Sequence, residues 1–177
     1  MKSKLCLLGL SLTLGLIWTS LVTAQGPMPK PGPEHEWLKK FEGEWDCTVK
    51  MTGSESQAKS VSKMELGGFY LCQTFEGDFG GMKFTGRATN SYCPIRKKYI
   101  STWIDSMSPS MMIMEGVVSN NGKTFTETGK GPSMTGEMTS FKSVSEFKDD
   151  NTIHFTMYEV KDGKENEMMT IIYKRKK

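Results

Sequence analysis

From Glu44 onward the sequence alternates apolar and polar residues in short runs, and a turn signal closes each run. The stretch "EWDCTVKM" places Trp45, Cys47, Val49 and Met51 on one side and Glu44, Asp46, Thr48 and Lys50 on the other. "MKFTGRATNSY" sets Phe84, Gly86, Ala88 and Tyr92 against Lys83, Thr85, Arg87 and Thr89. A period of two is that of a strand with one buried face. Between the runs stand "LGGF", "GDFGG", "CPIRKK", "SMSPS", "SNNGK", "KDDN" and "KDGK". Asn121-Gly122 and Asp162-Gly163 are strong hairpin dipeptides. The pattern predicts about ten strands, near 44–52, 58–66, 69–76, 82–92, 98–105, 111–118, 123–129, 137–148, 152–159 and 165–174. Connections this short make each strand the antiparallel neighbour of the next, hence a meander. A twisted meander of such length curls and closes, which removes its exposed edges. The expected fold is therefore all-β, an antiparallel barrel. An open, sharply bent sheet or a two-sheet sandwich is the competing outcome.

Three segments precede the barrel. Residues 1–24 carry Lys2 and Lys4, an apolar run from Leu5 to Ile17, and the small-residue close Val22-Thr23-Ala24. They read as a secretory signal peptide, too short in its apolar part for a membrane span. Residues 25–33, "QGPMPKPGP", read as a proline-rich linker. In "PEHEWLKKFEGEW", Pro33, Glu34 and Glu36 suit a helix start, Trp37, Leu38 and Phe41 share a face, and Gly43 is a stop. A short helix over 34–42 follows, and 34–177 form one barrel domain. The expected location is secreted or periplasmic, without stable membrane insertion once the leader is removed.

The formal charge of +3 includes Lys2 and Lys4, so the mature chain stands near +1. That balance excludes a basic nucleic-acid binder, and the terminal "YKRKK" reads as a solvated end.

Treating "PIRK" as a hairpin loop pairs Tyr92 with Tyr99, Asn90 with Ser101, Ala88 with Trp103 and Gly86 with Asp105. The other face reads Lys, Thr, Arg, Thr, Ser and belongs in water. Trp103 and Asp105 therefore point inward together. A dry, unpaired inward carboxylate costs several kcal/mol. Asp105 must meet backbone N–H groups of the adjoining "SMSPS" turn, or water, a partner or a ligand at a cavity mouth. Register across that turn decides whether Met112 and Met114, or Met111, Ile113 and Glu115, face inward, since a one-residue slip exchanges the sets. Methionine suits both a promiscuous apolar pocket and an ordinary core.

Cys47, Cys72 and Cys93 follow the leader, an odd number. The meander sets Cys47, Lys63 and Cys72 at one level on three consecutive strands, about 9–10 Å between the outer two, so no disulfide is expected. No nucleophile elbow, metal triad, phosphate loop or zinc pattern is present, and nothing points to a cofactor. His35 is expected to be exposed on the helix. His154 alternates onto the face opposite Ile153, Phe155 and Met157.

"GEW" at Gly43–Trp45, after a short helix, resembles the Gly-x-Trp element of calycins, the superfamily of lipocalins and fatty-acid-binding proteins. "HEWLKKFEGEW", "GGFYLCQTFEGDFGGMKFTGRATNSY", "TWIDSM", "GKGPSMTG" and "FTMYEV" resemble a bacterial family of secreted proteins of unknown function. The calycin resemblance implies that Trp45 packs across the closed end of the barrel beneath Arg175 or Lys174. By the same analogy His154 is a candidate haem ligand. The uncharacterised family implies no catalytic residues. The function expected is binding of a small apolar or amphipathic molecule inside the barrel, by Asn90, Ser101, Trp103, Asp105, Met112 and Met114. A filled barrel serving as a cell-envelope structural or interaction module is the first alternative. An enzyme using Asp105 and Glu115 for acid–base work is the second.

Overall fold

A computed structural model of the chain describes residues 28–119, 121–133 and 136–177. The expected leader and the first residues of the linker lie outside the described residues. The first element is a short α-helix, α1 (Pro33–Leu38), with Pro33 in the opening turn and Glu34 and Glu36 beside it. A tighter 3-10 turn, Lys39–Phe41, continues it in place of the single helix expected over 34–42. Side chains take the backbone acceptors at that end. Trp45 Nε1 donates to Phe41 O at 2.9 Å, and the Arg175 guanidinium donates to Lys40 O at 2.9 Å and to Glu42 O.

Ten strands follow: β1 (Gly43–Met51), β2 (Ser54–Glu65), β3 (Tyr70–Phe79), β4 (Met82–Cys93), β5 (Lys98–Asp105), β6 (Ser108–Val118), β7 (Thr124–Pro132), β8 (Met138–Asp149), β9 (Thr152–Lys161) and β10 (Lys164–Arg175). Each pairs antiparallel with its chain neighbours, and β1 pairs with β10 to close the barrel. The expected meander and its closure are both present, so neither an open sheet nor a sandwich forms.

Several hairpins are tighter than the sequence suggested. β2 begins at Ser54 rather than 58, because Gly53 adopts φ +76° and lets Met51 pair with Ser54 across two residues. Cys47 therefore pairs with Ala58, while Lys63 pairs with Cys72. The shared level expected for Cys47, Lys63 and Cys72 does not exist. β3 likewise runs on to Phe79, which pairs with Met82. β6 starts at Ser108, and a bulge between Trp103 and Asp105 accommodates Pro109, which has no N–H to give a ladder.

One end of the barrel is plugged by α1 and its 3-10 turn. Leu38, fully buried, packs with Leu71, Tyr99 and Phe125. Phe41 meets Phe147 at 4.8 Å between ring centroids, and Trp37 contacts Phe41, Tyr99 and Phe125 at 5.5 Å each. The polar atoms of these rings are satisfied: Trp37 Nε1 donates to Gly122 O at 3.0 Å and the Tyr99 hydroxyl to Glu34 O at 3.1 Å. Arg175 lies 4.1 Å over the Trp45 ring, so it fills the stacking position that the calycin resemblance implied for Arg175 or Lys174. Lys174 bonds Thr152 instead. Gly43 is required here: its φ is +124°, and a Cβ would approach the guanidinium to 2.7 Å.

His35, expected to be exposed, is buried in the plug. Its ring meets Phe69 and Tyr92 edge-on at 5.3 and 6.2 Å, and its Nδ1 accepts the Gly32 N–H. The helix lies on the barrel rim, so even its polar side is partly covered. The opposite end is a mouth whose hairpins carry the exposed side chains of Met51, Met82, Met107 and Met138.

Candidate functional site

β4 and β5 pair as the sequence predicts: Asn90 with Ser101, Ala88 with Trp103 and Gly86 with Asp105. Ser101 then pairs with Met114 and Trp103 with Met112 on β6. This fixes the register left open by the "SMSPS" turn. Met114 is buried and Met112 half-buried on the inward face, whereas Met111 and Ile113 are more than half exposed. Glu115 is on the outer wall, where Arg96 and Lys98 hold it at 2.7 and 2.9 Å and keep its carboxyl below the usual range. Asp105 and Glu115 thus lie on opposite faces of the wall and cannot act as the acid–base pair considered above.

The Trp103–Asp105 pair sits at the mouth. Trp103 lies over Gly86, where a Cβ would run into the ring, and its plane is nearly parallel to that of Phe84. Its Nε1 donates to Asp105 Oδ2 at 2.7 Å. The other carboxylate oxygen accepts the N–H groups of Met107 and Ser108 at 2.8 and 2.9 Å. Asp105 therefore caps its turn and orients the indole at once, which accounts for a carboxylate two residues after a tryptophan.

Deeper inside stands a residue that the sequence reading missed. Glu127 on β7 is only 8% exposed. Its side chain crosses above Gly116 of β6, where a Cβ would lie 2.8 Å from Glu127 Cγ. It reaches Ser101 on β5 through Oε1, and Oε2 accepts from Ser143 on β8 at 3.1 Å. Ser101 also bonds Asn90 Oδ1. The sequence did carry the signal, since in "TFTETGKGP" Glu127 shares its alternation parity with the core residue Phe125.

The proton count of this group is informative. Asn90 Oδ1 and the two carboxylate oxygens are three acceptors, while Ser101 and Ser143 supply one hydroxyl proton each. A protonated Glu127 completes the set: it donates to Ser101 Oγ, which donates to Asn90, and Ser143 donates to the remaining oxygen. Burial drives the carboxyl the same way, raising its pKa more strongly than the serine contacts lower it. A second inward polar group lies across the barrel, where Gln73 Nε2 donates to Ser60 Oγ at 2.8 Å beside the half-buried Tyr173.

His154 is exposed on the outer wall, which removes it as a ligand for anything held within. The three cysteines are free. Cys47 faces inward and burial pushes its thiol up to about 12, whereas Cys72 and Cys93 alternate onto the outer face. Two open depressions of about 630 and 340 Å³ lie along β1–β5, and neither is lined by the Asn90–Glu127 group. Among the described residues no three His, Cys, Asp or Glu side chains converge as a metal site would require.

The model of a family described as "Protein of unknown function (DUF1579)" matches residues 30–175. No curated protein matches the chain. Among solved structures, an S-type phycobiliprotein lyase, CPES, from Guillardia theta is similar at a TM-score of 0.55 and 10% identity, over 81% of this chain and 93% of that one. A redesigned β-barrel aligns at a TM-score of 0.45 and 13% identity, over 79% of this chain and 95% of that one. At such identity the likeness to the lyase is one of fold.

Proposed function

We propose that this chain, which belongs to the DUF1579 family of proteins of unknown function, binds a small apolar or amphipathic molecule inside its barrel after export from the cytoplasm. The observation that supports this reading is the buried carboxyl of Glu127, gathered with Asn90, Ser101 and Ser143 in a barrel interior whose other buried polar side chains, such as Ser60, Ser62 and Ser145, are uncharged. A core selected for stability alone gains nothing from a buried carboxyl, which costs several kcal/mol unless well partnered. Binding interiors are mostly apolar with a few convergent polar groups, and eight- to ten-stranded barrels are wide enough to enclose one small ligand. In this reading Glu127, Ser143, Asn90 and Ser101 meet the polar part of the guest. Met112, Met114 and Trp103 give way to its apolar part, methionine being suited to that by its flexible thioether. Asp105 holds Trp103 at the mouth. Neither lyase activity nor a phycobiliprotein partner is carried over from the structural neighbour.

The test is a titration of the purified protein with lipophilic fluorescent probes, combined with mass spectrometry of any molecule released on denaturation. Saturable one-to-one uptake that perturbs Trp103 fluorescence is expected. Absence of both uptake and a co-purified molecule would overturn the proposal.

A filled barrel serving as an envelope module is favoured by one set of contacts. The inward glycines Gly86, Gly116 and Gly131 are each overlain by a large side chain, from Trp103, Phe125 and Met112 respectively. That reading predicts that Glu127→Leu raises stability and changes no binding property.

A further inference from the structure

The inward faces of β4 to β8 carry two acidic side chains, Asp105 and Glu127, and no lysine, arginine or histidine among the described residues. Asp105 is fully engaged by the Trp103 indole and two backbone N–H groups. Glu127 has only hydroxyl partners. With Asn90 Oδ1 turned toward Ser101 the group has three acceptors and two hydroxyl protons, so a proton on the carboxyl balances it. Turning the Asn90 amide round would supply a donor, but it would leave a full negative charge inside the barrel with no cation to meet it. Only the ionised arrangement leaves a charge unmatched, and a positively charged N–H donor is the chemistry that would match it.

The path from the mouth to Glu127 is distinctive as well. Beyond Glu127, the next inward positions of β7 are Gly129 and Gly131, which present no side chain. Met114 and Met112 lean across them. Met114 Cγ lies 2.8 Å from where a Gly129 Cβ would be, and Met112 Cε lies 3.2 Å from that of Gly131. The Ile113 carbonyl also closes on Gly129 and the Phe141 ring on Gly131, so the two flexible thioethers are the displaceable part of what covers these glycines between the mouth and the carboxyl. A slender alkyl chain that displaced them would lie on glycine and against Trp103, with its head at Glu127.

Resting on the ligand-binding reading above, we propose that the guest is a lipophilic amine, its ammonium head paired with Glu127, Ser101 and Asn90 and its alkyl tail lying along Gly129 and Gly131 toward the mouth. The proton balance is closed. An alkylammonium that binds the neutral carboxyl releases one proton to solvent. A neutral amine instead takes that proton inside the barrel and becomes the ammonium. In both cases the bound state is an ammonium–carboxylate pair, and the Ser101 hydroxyl is free to bond whichever oxygen the ammonium leaves.

The experiment compares dodecylamine, dodecanol and dodecanoate, below their micelle-forming concentrations, in competition with a fluorescent lipophilic probe at pH 7. Dodecylamine is expected to bind at least about tenfold more tightly than dodecanol, and dodecanoate more weakly than either. In Glu127→Gln the preference for amine over alcohol should shrink to within about threefold, whatever the change in absolute affinity. Alcohol binding equal to or tighter than amine binding in the unaltered protein overturns the inference and leaves the ligand-binding reading standing. Failure of all three to bind overturns both. The ranking in the unaltered protein decides the matter even where the variant does not fold.

Discussion

At the plugged end of the barrel the interior meets aromatic rings, and nearly every polar atom on them is tied to a backbone carbonyl. Trp37, Trp45 and Tyr99 each donate to a carbonyl in α1, its 3-10 turn or the β6–β7 connection, and Arg175 clamps the turn from the last strand. At the mouth the hairpins present exposed methionines instead, and among the described residues there the aromatic with a fixed polar atom is Trp103, held by Asp105. Both ends are apolar and both hold packed rings, Phe79, Phe84 and Trp103 at the mouth, but the plug fixes its rings through hydrogen bonds to backbone carbonyls while the mouth adds exposed, flexible methionines. The difference teaches where each task is done. Rings locked by hydrogen bonds specify one arrangement, while unbranched thioethers adapt to whatever lies against them. A barrel that only had to be stable could have been closed at both ends in the first manner.

The contrast is broken most directly at Leu38. Leu38→Ala should cost about 2–5 kcal/mol in urea unfolding, because a fully buried side chain is deleted from the plug. A loss under about 1 kcal/mol would show that the plug is not the stable end. Arg175→Ala should cost about 2–3 kcal/mol, through lost charge-assisted bonds to carbonyls and the stack on Trp45. Arg175→Lys should not restore it, since a single ammonium cannot serve several acceptors and stack as well.

Between the two ends, Glu127→Gln sharpens the comparison through pH. Burial raises the folded-state pKa of Glu127 above the ordinary 4.5. Its contribution to stability is therefore fully present below about pH 4.5 and is lost as pH rises through the folded value. The unaltered protein should weaken relative to the Gln variant over that window, by at most about 1.4 kcal/mol per pH unit, the limit for one proton. Parallel stability profiles in acid and neutral buffer would show that the carboxyl does not titrate differently on folding. The smallest effect belongs to the mouth, where Met82→Ser combined with Met138→Ser should shift stability by no more than about 0.5 kcal/mol. A larger loss would mean that the methionines pack as a core does.

The wall of the barrel was readable because its information is local. Alternation and turn residues set the strands, and the length of "CPIRKK" set the register that brings Asn90 to Ser101 and Trp103 to its place. The β1–β2 register was misread for an equally local reason: "MTGSES" contains a glycine able to turn the chain in two residues, and the sequence offers a longer loop just as readily. Glu127 was harder. Its parity marked it as inward, but its partners lie on β5 and β8, and only closure around Gly116 brings them within reach. Burial of His35 escaped the reading because it depends on how α1 lies across the rim, a docking that no periodicity within the helix encodes.

The seam between β1 and β10 governs how such a molecule can be made. Trp45 finds Arg175, and Cys47 finds Tyr173, across almost the whole length of the domain. Every other strand acquires its neighbours within a hairpin's span. A chain emerging from a ribosome or a translocation pore can therefore zip nine of its ten pairings in order, yet stays an unclosed ribbon until its final dozen residues are free. During that interval two raw edges are available to any passing strand. Loss of the last few residues would convert a closed barrel into an aggregation-prone sheet, a hazard far out of proportion to the few side chains removed.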